Sequence, residues 1–501
     1  MPSYSEIVRH GVYWSYFRSA LAWIVMLPTA IILARLLTPA EFGVAAAATF
    51  FIQLSNRLTR AGLNMALIRA KEITQDHIST TFVFYLAISI TTYLGLVVFA
   101  PLIGKFFNSP DVGLVLPLAG LAFLLSAFAA VPLALLRRDM RFRDIATLQS
   151  TGLILQSIGA VILVWMGMSF WGILWGNLAG SFAQTVMTMY YARWRPRFAF
   201  SSTAFRELSS FGFGSYVVKV LEYGALNVDN LIIGRLLGIV ALGYYDRAFT
   251  LMDRVVDRLN AAGPSVSFKV FALINEDPER FRRAWRKLTM TVALVGYPIL
   301  VWLCVAAPEL FAVLFGPQWT PSVLPFQFLC VAGMLKLVNE YASAASQAHG
   351  WVWAEAARQV LYTLLIVGAV FALRSFGLVG AAGGVLAATM VMTLLMASLL
   401  RSATPLGWRD IVEPQLPGIY CSVILAVTLM LVKTGARWIT GDHTASLTLL
   451  VAEAIIGGVL FLACIWFNPS EGVRSVVRDV LGDVSPRLAA SFPVVTRSAR
   501  I

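Results

Sequence analysis

Residues 231–263 read LIIGRLLGIVALGYYDRAFTLMDRVVDRLNAAG. The stretch is apolar enough to enter a membrane, yet it holds Arg235, Asp246, Arg247, Asp253, Arg254, Asp257 and Arg258. An ionisable side chain at membrane depth costs roughly 2.5–3.5 kcal/mol on insertion scales, so such residues are candidates for a functional site. They are also ordered. At about 100° per residue, Asp246, Asp253 and Asp257 fall on one helical line, and Arg247, Arg254 and Arg258 fall on a line beside it.

The stretch has a twin. Residues 31–62 read IILARLLTPAEFGVAAAATFFIQLSNRLTRAG. Ile32, Arg35, Leu36, Leu37 and Gly43 match Ile232, Arg235, Leu236, Leu237 and Gly243, each two hundred positions on. After one inserted residue, Arg57, Leu58, Ala61 and Gly62 match Arg258, Leu259, Ala262 and Gly263, and upstream Ser15-Tyr16 matches Ser215-Tyr216. Chance likeness between apolar helices would not preserve Arg and Gly in order, so the chain reads as a duplication. Duplicated halves are a common transporter plan, with the substrate site at their interface.

Composition agrees. The chain is 58% hydrophobic and only 13% charged. Soluble domains run about 45–50% apolar and about 25% charged, so this is an all-α polytopic membrane protein. The net charge of +13 would suggest nucleic acid in a soluble chain, but here the basic residues sit in short turns, where membrane topology accounts for them. Cys304, Cys330, Cys421 and Cys464 lie in apolar segments with neither metal-ligand spacing nor a disulfide framework, and the four histidines are scattered. No metal or cofactor is expected beyond H⁺ or Na⁺ coupling.

Turn signals divide the chain into about 14 spans. The first six cover about 12–36, 41–68, 77–104, 111–136, 144–167 and 170–192. The seventh covers about 209–237 and the eighth is the opening stretch. Spans 9–12 cover about 288–315, 321–348, 351–373 and 377–400, and spans 13 and 14 about 415–433 and 445–467. The expected organisation is an N-lobe at 1–192, a cytoplasmic linker at 193–208, a C-lobe at 209–402, an accessory helix pair at 403–468 and a cytoplasmic amphipathic tail at 469–501. No cleavable signal peptide is expected, because the first apolar run is already long enough to span. Even-numbered turns carry Arg69 and Lys71, then Arg137, Arg138, Arg141 and Arg143, then Arg280, Arg282, Arg283, Arg286 and Lys287. The positive-inside rule therefore predicts that both termini are cytoplasmic.

The candidate substrate residues are basic. Arg18 and Lys219 occupy nearly equivalent places in the two halves, and so do Arg57 and Arg258. With Arg254 they are expected to line an inward-facing cavity between the lobes, with Asp253 and Asp257 holding Arg254 and Arg258 in place. A lone Arg near a helix end can also snorkel to the headgroups, which is the structural alternative for Arg18 and Arg57. Glu222, Asn227 and Asp229 in span 7 are candidates for ion coupling, the alternative being that Glu222 neutralises Lys219. Lys336 with Glu340, and Glu355 with Arg358, are spaced to neutralise each other along their own helices. Arg35 and Arg235 lie beside outward-facing turns and are expected to be structural.

Enzymatic signatures are missing. Gly104-Lys105 has no partner glycine at Phe99 and is followed by Phe106, so it is no phosphate-binding loop. No spacer is long enough for the external polar loop of a membrane glycosyltransferase, so no enzyme is expected.

Read together, Ile32–Leu37 through Glu41-Phe42-Gly43, and Asn227–Asn230 through Gly234–Gly238 to Leu242–Tyr245, resemble the helix 1–2 and helix 7–8 junctions of polysaccharide transporters. These are the Wzx-type lipid-linked oligosaccharide flippases of the multidrug/oligosaccharidyl-lipid/polysaccharide (MOP) exporter superfamily. The resemblance implies two six-helix lobes and alternating access. It further implies export of an undecaprenyl-pyrophosphate-linked sugar unit across the bacterial inner membrane for surface polysaccharide synthesis, with a polymerase or export machinery as a possible partner. A cavity rich in Arg and Lys suits a pyrophosphate, whose charge cannot cross hydrocarbon unpaired. Two alternatives remain: a drug or metabolite antiporter of the same fold, which would favour acidic lumen residues, and a membrane enzyme of polysaccharide assembly such as a polymerase.

Overall fold

The computed structural model describes residues 4–59, 67, 73–209, 227–261, 263–440, 447–467 and 474. Among them no residue is in a strand, and ten segments are long and apolar enough to cross a membrane. One of the ten, Phe142–Ala192, holds two helices divided at Gly167 (φ 90°) and Ser169 (φ 50°). By their contacts the residues divide into two compact units, Met1–Tyr244 and Tyr245–Ile501.

The first unit contains α1 (Tyr4–Leu36), α2 (Pro39–Thr59), α3 (Gln75–Phe106), α4 (Pro110–Arg138), α5 (Phe142–Leu163), α6 (Ser169–Ala192), the short α7 (Ser202–Ser209) and α8 (Val228–Leu236). Local chemistry sets the helix ends. Thr74 caps α3 by accepting from the His77 amide while His77 returns a bond to the Thr74 amide, and Pro110 occupies the first turn of α4. The α5–α6 pair is the tightest in the unit. Gly172, Gly176 and Gly180 form a small-residue stripe on α6; a Cβ at Gly176 would lie 2.6 Å from the Ala160 nitrogen, and one at Gly180 2.6 Å from the Gly152 carbonyl. In a membrane no water drives helices together, so close backbone approach supplies the attraction. Gln156 adds a hydrogen bond to Asn177 across the same seam.

The second unit takes up α9 (Ile239–Leu259) from Tyr245 onward, then α10 (Gly263–Ile274), α11 (Pro278–Val305), α12 (Ala307–Leu310), α13 (Val323–Ala348), α14 (Val352–Ala372), α15 (Gly377–Ala403), α16 (Trp408–Val412), α17 (Leu416–Thr440) and α18 (Leu447–Trp466). Its core is aromatic where α10, α11 and α13 meet: Phe271, Phe281, Trp285 and Tyr341 are almost fully buried.

Several boundaries differ from the sequence reading. The eighth span ends at Leu259, and a further helix, α10, follows it. The basic segment Arg280–Lys287 is not a turn but the first turns of α11, started by the Asp277 side chain accepting from the Arg280 amide with Pro278 at the first position. That helix stops at Val305 rather than near 315, because Pro308, Gly316 (φ 103°) and Pro317 break the backbone into α12, a wide turn and a 3-10 turn. Six ionisable residues, Asp246, Arg247, Asp253, Arg254, Asp257 and Arg258, keep α9 out of the ten apolar segments. The amphipathic segment read at 471–484 lies outside the described residues, Arg474 apart.

Candidate functional site

The helix junction carries the repeat. At the start of α2, Thr38 and Glu41 form a capping pair: the Glu41 carboxylate accepts from the Thr38 amide (2.7 Å) and hydroxyl (2.8 Å), and also from Ser169. One turn on, Gly43 meets α9. A Cβ at Gly43 would sit 1.9 Å from the Ile239 carbonyl oxygen, and a Cβ at Gly243 would sit 1.9 Å from the Pro39 carbonyl oxygen. Each glycine therefore touches the residue equivalent to the one its twin touches. The contact is reciprocal, within the first unit, and only glycine fits it. Beside it, Arg235 donates to the Phe106 carbonyl (2.9 Å) and the Asn108 side chain (3.2 Å) at the end of α3, and Phe107 packs on Gly234. Arg35 is exposed in the last turn of α1.

The other first-unit candidates are spread out. Arg18 of α1 donates to Gln149 of α5 at 2.5 Å. Arg57 is exposed in the last turn of α2. Asp229 is buried at the start of α8, where its carboxylate accepts from the Asn230 amide (2.9 Å), with Asn227 immediately before the helix. Lys219 and Glu222 lie outside the described residues.

In the second unit α9 turns its charges in different directions. Asp253 accepts from Lys336 of α13 at 2.5 Å. This corrects two expectations. Asp253 does not hold Arg254, since neighbours in sequence diverge around a helix, and Lys336 reaches across to α9 instead of pairing with Glu340 one turn along its own helix. Asp257 and Glu340 stay close enough to act on Lys336 through space. Arg358 likewise does not pair with Glu355. It donates to the Leu395 (3.1 Å) and Ala354 (3.0 Å) carbonyls, while Glu355 accepts from Ser343. Asp257 and Arg258 are exposed at the end of α9, and Arg254 is half-buried. Arg247 is buried, its guanidinium 5.4 Å from the Phe315 ring and 5.5 Å from the Trp319 ring.

Two charge clusters escaped the sequence reading. Arg282 and Arg286 of α11 bind Asp410 of α16 (3.2 and 3.1 Å), and Arg286 also binds Glu413 (2.9 Å). In the apolar part of the unit, Lys433 of α17 donates to Glu309 of α12 (2.6 Å) and lies 3.5 Å from Glu453 of α18, while Arg437 binds Glu309 at 3.2 Å. Glu309 and Glu453 are fully buried. Charges inside the last two apolar spans were the signal for this cluster. Among the described residues no group of His, Cys, Asp and Glu could hold a metal ion.

Residues 32–324 match the model of a family described as polysaccharide biosynthesis protein. The chain is 26% identical over 503 residues to the succinoglycan biosynthesis transport protein ExoT of Rhizobium meliloti (strain 1021), the match covering 98% of each. It is 24% identical over 425 residues to the lipopolysaccharide biosynthesis protein WzxC of Escherichia coli (strain K12), covering 84% of each. Among solved structures it is similar to the lipid II flippase MurJ in an inward closed conformation, with a TM-score of 0.69 and 12% identity, over 91% of this chain and 97% of that one. At that identity the likeness shows the fold alone, an all-α membrane fold like that of the structure matched.

Proposed function

The chain belongs to the polysaccharide biosynthesis protein family, and from that premise we propose that it is a flippase. It moves a polyprenyl-pyrophosphate-linked oligosaccharide from the cytoplasmic to the periplasmic leaflet of a bacterial inner membrane, for surface polysaccharide synthesis. The observation that carries this reading is the end-to-end match to a relative named as a polysaccharide transport protein. The likeness of the fold to that of a lipid flippase supports a transporter.

The chemistry follows from the cargo. Its sugar and pyrophosphate are polar, and its lipid tail can stay in the bilayer. The protein has only to replace water around the phosphates, which charge-assisted bonds from Arg and Lys do well. Arg57 and Arg258 are exposed at corresponding helix ends, and Arg18 is oriented by Gln149. Lys219 and Arg254 complete the proposed set. An inside-negative potential helps, by up to about 2.3 kcal/mol per charge per 100 mV for an anion moving outward. Asp229, with Glu222 and Asn227, remains the proposed site for H⁺ or Na⁺ coupling, and both termini are proposed to be cytoplasmic.

A deletion strain fed radiolabelled sugar tests the reading. The lipid-linked units should accumulate unpolymerised in the cytoplasmic leaflet, and the wild-type gene should clear them. Units accumulating on the periplasmic side would instead identify a polymerase. In the same strain the double variant Arg18→Ala/Lys219→Ala should insert normally yet fail to restore polysaccharide. Full restoration would place phosphate binding elsewhere.

A further inference from the structure

The cluster on α12, α17 and α18 lies outside the residues proposed for phosphate capture, and its carboxylates are unequally served. Glu309 receives Lys433 at 2.6 Å on one oxygen and Arg437 at 3.2 Å on the other. Lys433 spends a second hydrogen on the Val305 carbonyl at 2.7 Å. Glu453 is fully buried, and neither of its oxygens receives a close hydrogen bond; its nearest cation, Lys433, stands 3.5 Å away with two of its three hydrogens turned to Glu309 and Val305. A carboxylate removed from water needs hydrogen bonds to replace its hydration. Glu309 has them and Glu453 does not.

From this asymmetry we propose that Glu453 is a proton-binding site in the accessory helix pair, taking up and releasing H⁺ while Glu309 keeps its two salt bridges. The groups facing it fit a proton better than a metal ion. From α17 come Lys433 and Arg437, both cationic; from α12 comes Glu309; from α11 come the Val305 carbonyl and the Trp302 indole, which lies against Gly457 one turn along α18. A Na⁺ beside Glu453 would be repelled by both cations, whereas a proton forms a bond to the carboxylate itself. With Glu453 ionised, the two acids balance the two bases. With Glu453 protonated, the excess positive charge falls on Arg437, whose side chain is 34% exposed in the last turn of α17. The site thus changes protonation without leaving a charge stranded in the apolar interior.

The site also adjoins a break in the helical backbone. The helix of Glu309 runs directly into the broken segment 311–322, whose Phe315 and Trp319 rings both lie against Arg247 of α9. Protonation of Glu453 releases Lys433 from a double claim and tightens its bond to Glu309, and so bears on that segment.

The test is infrared difference spectroscopy on the full-length protein in bilayers, between mildly acidic and mildly alkaline buffer. A protonated-carboxyl band should appear on acidification, be lost in Glu453→Gln and persist in Glu309→Gln. A band that survives Glu453→Gln, or that Glu309→Gln removes instead, overturns the assignment. Should Glu453→Gln fail to insert, Glu453→Asp keeps the acid group, and the band must then shift in position and midpoint; an unchanged band again refutes the site. None of these readouts depends on the identity of the cargo.

Discussion

At the scale of single residues, the junction glycines impose the hardest constraint. Gly43→Ala and Gly243→Ala each drive a methyl group into a carbonyl oxygen 1.9 Å away, which backbone cannot avoid by rotating a side chain. Overpacking in a core costs about 1–3 kcal/mol, and a backbone clash belongs at or above the top of that range. Either variant should lower the thermal midpoint of the detergent-solubilised protein sharply, whereas Gly95→Ala, with nothing within 4 Å, should leave it unchanged. The Asp253–Lys336 pair makes a second residue-scale prediction. A double-mutant cycle with Asp253→Asn and Lys336→Met should show a coupling of about 0.5–3 kcal/mol, the double variant being more stable than the two single losses imply. Additive losses would mean that the contact contributes nothing.

At the scale of elements, the sequence was most legible where apolar length or turn chemistry decides. The ends of α3, α4, α6, α13 and α14 fall within a few residues of the expected ones, because proline, capping threonine and short polar turns leave few choices. It was least legible where an element is amphipathic or charged. Residues 278–287 look like a turn because they are basic, yet they are helical: Asp277 and Pro278 start the helix, and Asp410 and Glu413, far along the chain, neutralise Arg282 and Arg286. No local pattern announces such a partner. The same reasoning limits the site: the charged line on α9 was readable, but Lys336, which takes Asp253, lies on another helix at an unguessable distance in sequence. Two predictions belong here. Thr38→Ala removes one half of the α2 cap and should cost about 1 kcal/mol in thermal or denaturant stability. Arg286→Ala removes the pairs to Asp410 and Glu413 and leaves Arg282 on Asp410; since partly exposed pairs are worth about 0.2–1 kcal/mol, the loss should be small and should shrink further in high salt.

At the scale of the whole molecule, the basic turns do two things at once. On the proposed topology they set orientation, and they tie helices together: Arg138 donates to the Leu67 carbonyl at 2.9 Å, and Arg141 reaches both Asp144 and the Tyr191 carbonyl. Reporter fusions after Arg138 and after Arg283 should both read as cytoplasmic, and a periplasmic signal at either would reverse the proposed topology. Neutralising these arginines should therefore lower stability as well as weaken orientation, a combination that a purely topological role would not produce.

The mirrored glycines carry one more consequence. A contact in which one residue meets a second, and the equivalent of the second meets the equivalent of the first, is the hallmark of an isologous dimer. Here both partners are drawn from one chain, as if an ancestral homodimer had been fused in tandem and its self-complementary seam kept. In such an ancestor a single codon would have answered for both sides of the seam. After fusion two codons share the task, and neither can drift while the other stays. The fusion itself becomes dispensable: a chain severed within 193–208 and supplied as two co-expressed fragments should reassemble and restore polysaccharide, while either fragment alone should be degraded.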